Sequence, residues 1–179
     1  PGAARTRLYR NEGGIFVTVP TLLPNLGNAA LAWGDFDRDG DLDLAVTGID
    51  SSGVRMSRVY RKDGGATFTD IAAGLTALAA GGVVWGDIDD DGDLDLAICG
   101  TSNGSGTGAT TKVYRNQSGL FLDASTGITP GGHLGALAFA DMDGDRDLDL
   151  VVDGLNIAST ATASVFRNDS GSWTPLATS

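Results

Sequence analysis

Residues 32–48 read AWGDFDRDGDLDLAVTG, with aspartate at Asp35, Asp37, Asp39, Asp41 and Asp43. Counted from Asp35, these are positions 1, 3, 5, 7 and 9 of a nine-residue window. The same frame returns at residues 84–100 as VWGDIDDDGDLDLAICG, carrying Asp87, Asp89, Asp91, Asp93 and Asp95. It returns again at 138–154 as AFADMDGDRDLDLVVDG, carrying Asp141, Asp143, Asp145, Asp147 and Asp149. The first aspartates lie 52 and then 54 residues apart. A second marker keeps the beat: Tyr9-Arg10-Asn11, Tyr60-Arg61-Lys62, Tyr114-Arg115-Asn116 and Phe166-Arg167-Asn168, at steps of 51, 54 and 52. Two unrelated markers on one period define an internal repeat, and a period of this size belongs to propellers or solenoids.

Within one repeat the pattern is strands joined by tight turns. LAWGDF is a short apolar run into a loop, LDLAVTG alternates and then turns apolar, and SRVYR and ATFTDIA flank the turn KDGG. The matching turns are NEGG, NQSG and NDSG, all with hairpin chemistry. Only LTALAA hints at a helical period, and glycine precedes and follows it. Four strands per repeat, A to D, predict an all-β chain of β-propeller blades. Residues 1–179 then form a single propeller segment. An N-terminal C–D hairpin at 5–20, a half blade, precedes full blades at 28–75, 80–128 and 134–177, about three and a half blades. Trp33, Trp85 and Phe139 recur at one place in strand A and are expected to pack between blades, as are Tyr9, Tyr60, Tyr114 and Phe166.

Composition narrows the function. The 179 residues hold 12 Lys+Arg against 23 Asp+Glu, a formal charge of −11 that repels nucleic acid and anionic lipid. No apolar run reaches the length of a membrane-spanning helix. Cys99 is the one cysteine and His133 the one histidine, so neither a disulfide framework nor a cysteine-rich zinc site can form. The chain starts at Pro1, which reads as a processed or excised piece.

Five carboxylates within nine residues repel one another unless a cation joins them. Ca²⁺ takes six to eight oxygen ligands in forgiving geometry and suits the alternating loop, whereas Mg²⁺ demands a stricter octahedron. DRDGD and DDDGD look like the start of an EF-hand loop. Position 12 is nevertheless Val46, Ile98 or Val152 rather than glutamate, and the flanks read as strands.

The W-G-D-x-D-x-D-G-D-L-D-L core resembles the FG-GAP, or VCBS, repeats of integrin α-subunit propellers and many secreted bacterial proteins. The resemblance implies one Ca²⁺ in each A–B loop, bound by side chains at positions 1, 3, 5 and 9 and by the position-7 carbonyl. It therefore implies Asp35, Asp37, Asp39 and Asp43 in the first site. Asp87, Asp89, Asp91 and Asp95 form the second, and Asp141, Asp143, Asp145 and Asp149 the third. Asp41, Asp93 and Asp147 give carbonyls. Three Ca²⁺ would bring the formal charge from −11 to −5. A secreted or cell-surface setting, where Ca²⁺ is abundant, follows as an expectation.

Gly40 and Gly92 at position 6 suggest a turn with positive φ. The third loop has Arg146 there and Gly144 at position 4. With Arg38 and Arg146 each weakening its own loop's field, and only Arg146 in backbone conflict, the expected order of Ca²⁺ affinity is second, first, third.

Catalytic groups are sparse. His133 in TPGGHLG lacks an evident partner, and Gly104-Ser105-Gly106-Thr107-Gly108 lacks the lysine of a phosphate loop and reads as flexible. Ligands are expected on the B–C loops at 48–57, 100–111 and 154–163, or on the neighbouring D–A connections. The reading is a non-catalytic, Ca²⁺-stabilised module for extracellular binding or adhesion, with a protein or glycan ligand. The alternatives are a propeller segment of a secreted polysaccharide-degrading enzyme and a structural repeat of a large surface protein. Three and a half blades cannot close a ring. A homodimer or missing propeller sequence is expected to complete it, and a two-fold ring excludes an odd blade number.

Overall fold

The computed structural model describes residues 4–176. Among these residues fourteen strands make up an all-β fold. A two-stranded hairpin comes first, β1 (Leu8–Glu12) with β2 (Ile15–Val19). Three four-stranded antiparallel meanders follow. The first is β3 (Gly27–Gly34), β4 (Asp43–Ile49), β5 (Arg55–Lys62) and β6 (Phe68–Asp70). The second is β7 (Val83–Gly86), β8 (Asp95–Thr101), β9 (Ala109–Gln117) and β10 (Leu120–Asp123). The third is β11 (Leu137–Ala140), β12 (Asp149–Leu155), β13 (Ala161–Asp169) and β14 (Ser172–Leu176). Each sheet has the form of a propeller blade. Among the described residues no helix is long and apolar enough to cross a membrane.

Register repeats from blade to blade. Leu44 pairs with Tyr60, Leu96 with Tyr114 and Leu150 with Phe166. β8 is buried along its whole length because sheets cover both of its faces, which explains an apolar run without alternation. β12 has the same register but is buried only in part, with no sheet beyond it among the described residues.

Two cores fill the spaces between blades. Phe36, Leu78, Leu96, Tyr114 and Phe121 belong to the first, and Ile88, Cys99, Leu150, Phe166 and Trp173 to the second. β3, β7 and β11 run side by side through them. Glycine sets their approach: a Cβ on Gly34 would stand 2.7 Å from the Trp85 ring, and one on Gly86 would stand 2.7 Å from Phe139. Trp85 lies stacked on Phe36, with centroids 6.1 Å apart and planes 7° apart. Trp33 and Tyr9, expected in such packing, are exposed, with no complete blade on their side among the described residues.

LTALAA forms no helix. Leu78 and Ala79 are fully buried in the connection to β7, where Gly48 N–H donates to the Leu78 carbonyl and Ala79 bridges Thr101. Burial between two blades outweighs a short helical period there. The Gly104–Gly108 stretch is an ordered turn, with a 3₁₀ segment at Gly106–Gly108. Thr101 Oγ1 donates to the Ser105 carbonyl at 2.7 Å, and Asn103 Nδ2 to Thr107 Oγ1 at 3.0 Å. Self-made hydrogen bonds of this kind hold a glycine-rich segment still.

Candidate metal centres

The aspartate windows link the first two strands of each blade. The position-9 carboxylate opens the second strand and is almost fully buried at Asp43, Asp95 and Asp149. Each accepts two backbone N–H groups, one from position 2 of its own loop and one from the end of the third strand. Asp43 takes Phe36 at 3.1 Å and Lys62 at 2.8 Å. Asp95 takes Ile88 at 2.9 Å and Asn116 at 2.6 Å, and Asp149 takes Met142 at 2.8 Å and Asn168 at 2.9 Å. This carboxylate therefore ties loop to blade besides pointing charge into the loop.

Position 1 organises the turn. Asp35 accepts the amides of Asp39 and Gly40, each at 3.1 Å, and Asp87 accepts those of Asp91 at 3.1 Å and Gly92 at 2.8 Å. In the third loop Asp141 accepts Gly144 at 2.7 Å and Arg146 at 3.2 Å. Position 6 is left-handed in all three loops, with φ of 90° at Gly40, 88° at Gly92 and 83° at Arg146. Position 4 is left-handed as well, with φ of 59° at Arg38, 54° at Asp90 and 83° at Gly144. The expectation that Arg38 is free of backbone conflict is therefore corrected: each loop places a side chain at one left-handed position and glycine at the other.

Arg38 also does not act on its own loop. Its side chain crosses to the second, donating to the carbonyls of Gly92 at 2.9 Å and Asp91 at 3.2 Å and pairing with Asp93 at 2.8 Å. Arg146 likewise leans back toward Asp90, 3.9 Å away. The cationic shielding assigned to the first and third loops falls on the second.

Carboxylate oxygens converge within 4.8 Å in the groups Asp35/Asp37/Asp39, Asp87/Asp89/Asp95 and Asp141/Asp143/Asp149. A fourth group joins Asp143 and Asp145 to Asp169. Asp169 was missed in the sequence because it lies outside the windows, in the NDSG turn. That turn reaches the loop through Ser170 N–H, which donates to Asp147 at 2.6 Å. Asp91 enters none of these groups; it accepts Asp93 N–H at 2.8 Å. The position-7 side chains turn elsewhere, Asp41 to Lys62, Asp93 to Arg38 and Asp147 to Ser170.

The donors fit a hard cation. Burial pushes Asp95 up to about 6, and burial also raises Asp43 and Asp89, so the fold holds carboxylates where negative charge is costly. Asp89 Oδ1 is buried without a hydrogen-bond donor among the described residues. Its other oxygen lies 3.1 Å from Arg115 Nε, a poorly aligned ion pair. An oxygen-only set with an orphaned buried acceptor matches the ligand preference of Ca²⁺.

His133 sits in a buried bridge to Leu155, and its Nδ1 has no hydrogen-bond partner among the described residues. The loops between second and third strands are shorter than the sequence suggested. Residues 50–54 and 156–160 close into similar turns, where Asp50 Oδ1 accepts Ser52 and Val54 and Asn156 Oδ1 accepts Ala158 and Thr160.

A search of curated proteins gives no match. A family model described as FG-GAP-like repeat matches residues 2–46 and 87–152, more than half of the chain and including each aspartate window at least in part. With its repeat period, its four-stranded sheets and this match, the chain belongs to the FG-GAP-like repeat family.

Proposed function

We propose that this chain is a non-catalytic, Ca²⁺-stabilised propeller module that presents rigid loops to a protein or glycan outside the cell. The observation that carries the reading is the same oxygen-rich loop built three times, with Asp89 Oδ1 buried and unpaired in one of them. Positions 1, 3, 5 and 9 of each window would hold the ion, with the carbonyls of Asp41, Asp93 and Asp147. The ion supplies charge neutralisation and a clamp on the first hairpin of each blade. At about 1,000 times its dissociation constant, each Ca²⁺ adds about 4 kcal/mol to stability. The loops at the opposite blade ends are short, polar and self-braced, which suits recognition more than turnover.

Calcium titration by calorimetry, paired with a glycan array and capture from a native secretome, tests both halves. Three sites per chain and a Ca²⁺-dependent ligand support the proposal. No metal in elemental analysis, or polysaccharide cleavage by this chain, overturns it.

A further inference from the structure

We infer that Arg55, at the junction of the first and second blades, binds the carboxylate of an acidic sugar, a uronic acid at a chain end or among neutral sugars. The inference rests on the proposed reading that the loop ends of the blades take a ligand, and it does not need metal in the aspartate loops. Equivalent positions carry the argument. Arg55 opens β5 opposite Ile49, and the same register places Ala109 opposite Thr101 and Ala161 opposite Leu155. Two blades fold with alanine there, so the repeat itself does not require an arginine.

The charge of Arg55 is also unanswered. Among the described residues every other lysine and arginine of the three blades pairs with a carboxylate. Arg55 pairs with none, although the chain carries a formal charge of −11. Its Nε is buried with no acceptor among the described residues. A buried N–H of a cation left in this state is costly, and an anion brought to it offsets that cost. The guanidinium is not a strut between blades either. It lies over Gly104 of the second blade, where a Cβ would stand 2.5 Å from Nη2, and it finds no side chain to hold.

Arg55 lines a cleft of about 260 Å³ between β5 and residues 72–77. Ala72, Ala73, Gly74 and Ala77 line the second wall, so its surface is largely peptide groups. Asp70 takes the Ala72 N–H, and Tyr114 Oη takes that of Thr76 at 2.8 Å. The N–H groups of Ala73 and Gly74 have no partner among the described residues. Arg58, on the same cleft, is neutralised by Asp70 at 3.0 Å, which leaves one free cation. One cation beside a wall of peptide donors and acceptors suits a monoanion with several hydroxyls. A glutamate side chain offers the charge but few groups for that wall. Adjacent sulfates or phosphates bring more negative charge than one guanidinium answers, against a chain that already repels anions.

Titration of the intact chain with sodium glucuronate, followed by amide shifts in NMR spectra, tests the site. Ca²⁺ is held fixed, because uronates also coordinate the ion, and glucose and N-acetylglutamate serve as the neutral and peptide-like probes. Glucuronate should shift the amides of residues 55–58 and 72–77. Arg55→Gln should weaken its binding at least about tenfold, the loss of a charge-assisted pair. Arg55→Lys keeps the charge without the planar fork and should retain part of the affinity. Should Arg55→Gln fail to fold, Arg55→Lys and the comparison of probes on the unaltered chain still decide. No shift with glucuronate, equal affinity for glucose, or tighter binding of N-acetylglutamate overturns the inference. So does glucuronate binding that both variants leave intact, which would place the sugar elsewhere, as on a metal loop. A glycan or protein ligand whose binding ignores Arg55 sinks this site and keeps the proposed function, whereas the absence of any ligand sinks both.

Discussion

Replacing Asn116 by alanine tests how neighbouring blades are joined. Asn116 is fully buried and its side chain is completely used. Nδ2 donates to the Phe36 carbonyl of the preceding blade at 2.9 Å and to Leu94 at 3.1 Å, while Oδ1 accepts Gly119 N–H at 2.7 Å. Alanine leaves three groups without a partner. The Phe36 carbonyl lies in a buried residue under Trp85 and Phe121, where losing its donor costs about 2 kcal/mol. Leu94 and Gly119 are only partly buried and can recruit water, adding about 0.5 kcal/mol each. The expected loss is about 3 kcal/mol in urea unfolding at saturating Ca²⁺, read from the midpoint at constant m. Asn11→Ala is the control at the same repeat position: Asn11 is exposed and accepts only Gly14 N–H, so its loss should stay within about 0.5 kcal/mol. A cost for Asn116→Ala below about 1 kcal/mol, or equal to that of Asn11→Ala, refutes the inter-blade staple.

Chelation with EGTA should lower the melting temperature and added Ca²⁺ should restore it, with Asp89→Ala reducing the calorimetric stoichiometry by one site. Arg146→Gly should stabilise the chain by about 1 kcal/mol in urea unfolding, because Arg146 holds a φ of 83° that glycine adopts freely; a loss of stability would show that its reach toward Asp90 matters more. Burial raises the Cys99 thiol from 9.0 to about 11, so the folded state favours the neutral form, and its contribution is full below pH 9 and lost as pH rises toward 11. Cys99→Ala should flatten that slope, and an aromatic disulfide reagent at pH 8 should label the wild-type thiol only as fast as the chain unfolds. Asp89→Ala should cost more stability than Asp143→Ala, compared by urea unfolding at equal Ca²⁺.

The blades were legible because the repeat is written twice, in the aspartate windows and in the Tyr-Arg-Asn marker, and two clocks in phase leave little freedom in strand count. The oxygen-rich loops were legible for the same reason. The roles of Asn116 and Asn168 were not. Their partners Phe36 and Ile88 lie 80 residues away, and only the stacking of blades brings them together. A signal did exist, since asparagine stands at three of the four marker positions and only Lys62 departs. Lys62 turns instead to Asp41 of its own loop. Arg38 was misjudged because a long side chain was credited to the loop that carries it. Its guanidinium spans to residues 53 and 54 positions away, a reach that local spacing does not encode.

These contacts place one residue per loop at a junction. Ile88, at position 2, donates its N–H to Asp95, and its carbonyl accepts Asn168 of the next blade at 2.7 Å. Phe36 is held in the same way between Asp43 and Asn116. A cation that draws Asp95 into the loop therefore also sets the position of a carbonyl on which the following blade hangs. On the proposed Ca²⁺ reading, loss of an ion from the first or second loop would slacken both a hairpin and an inter-blade contact. Met142, the counterpart in the third loop, is exposed, and its blade has no successor among the described residues. On the same reading an ion in the third loop would stabilise its own hairpin alone, which is why Asp143→Ala should be the milder change.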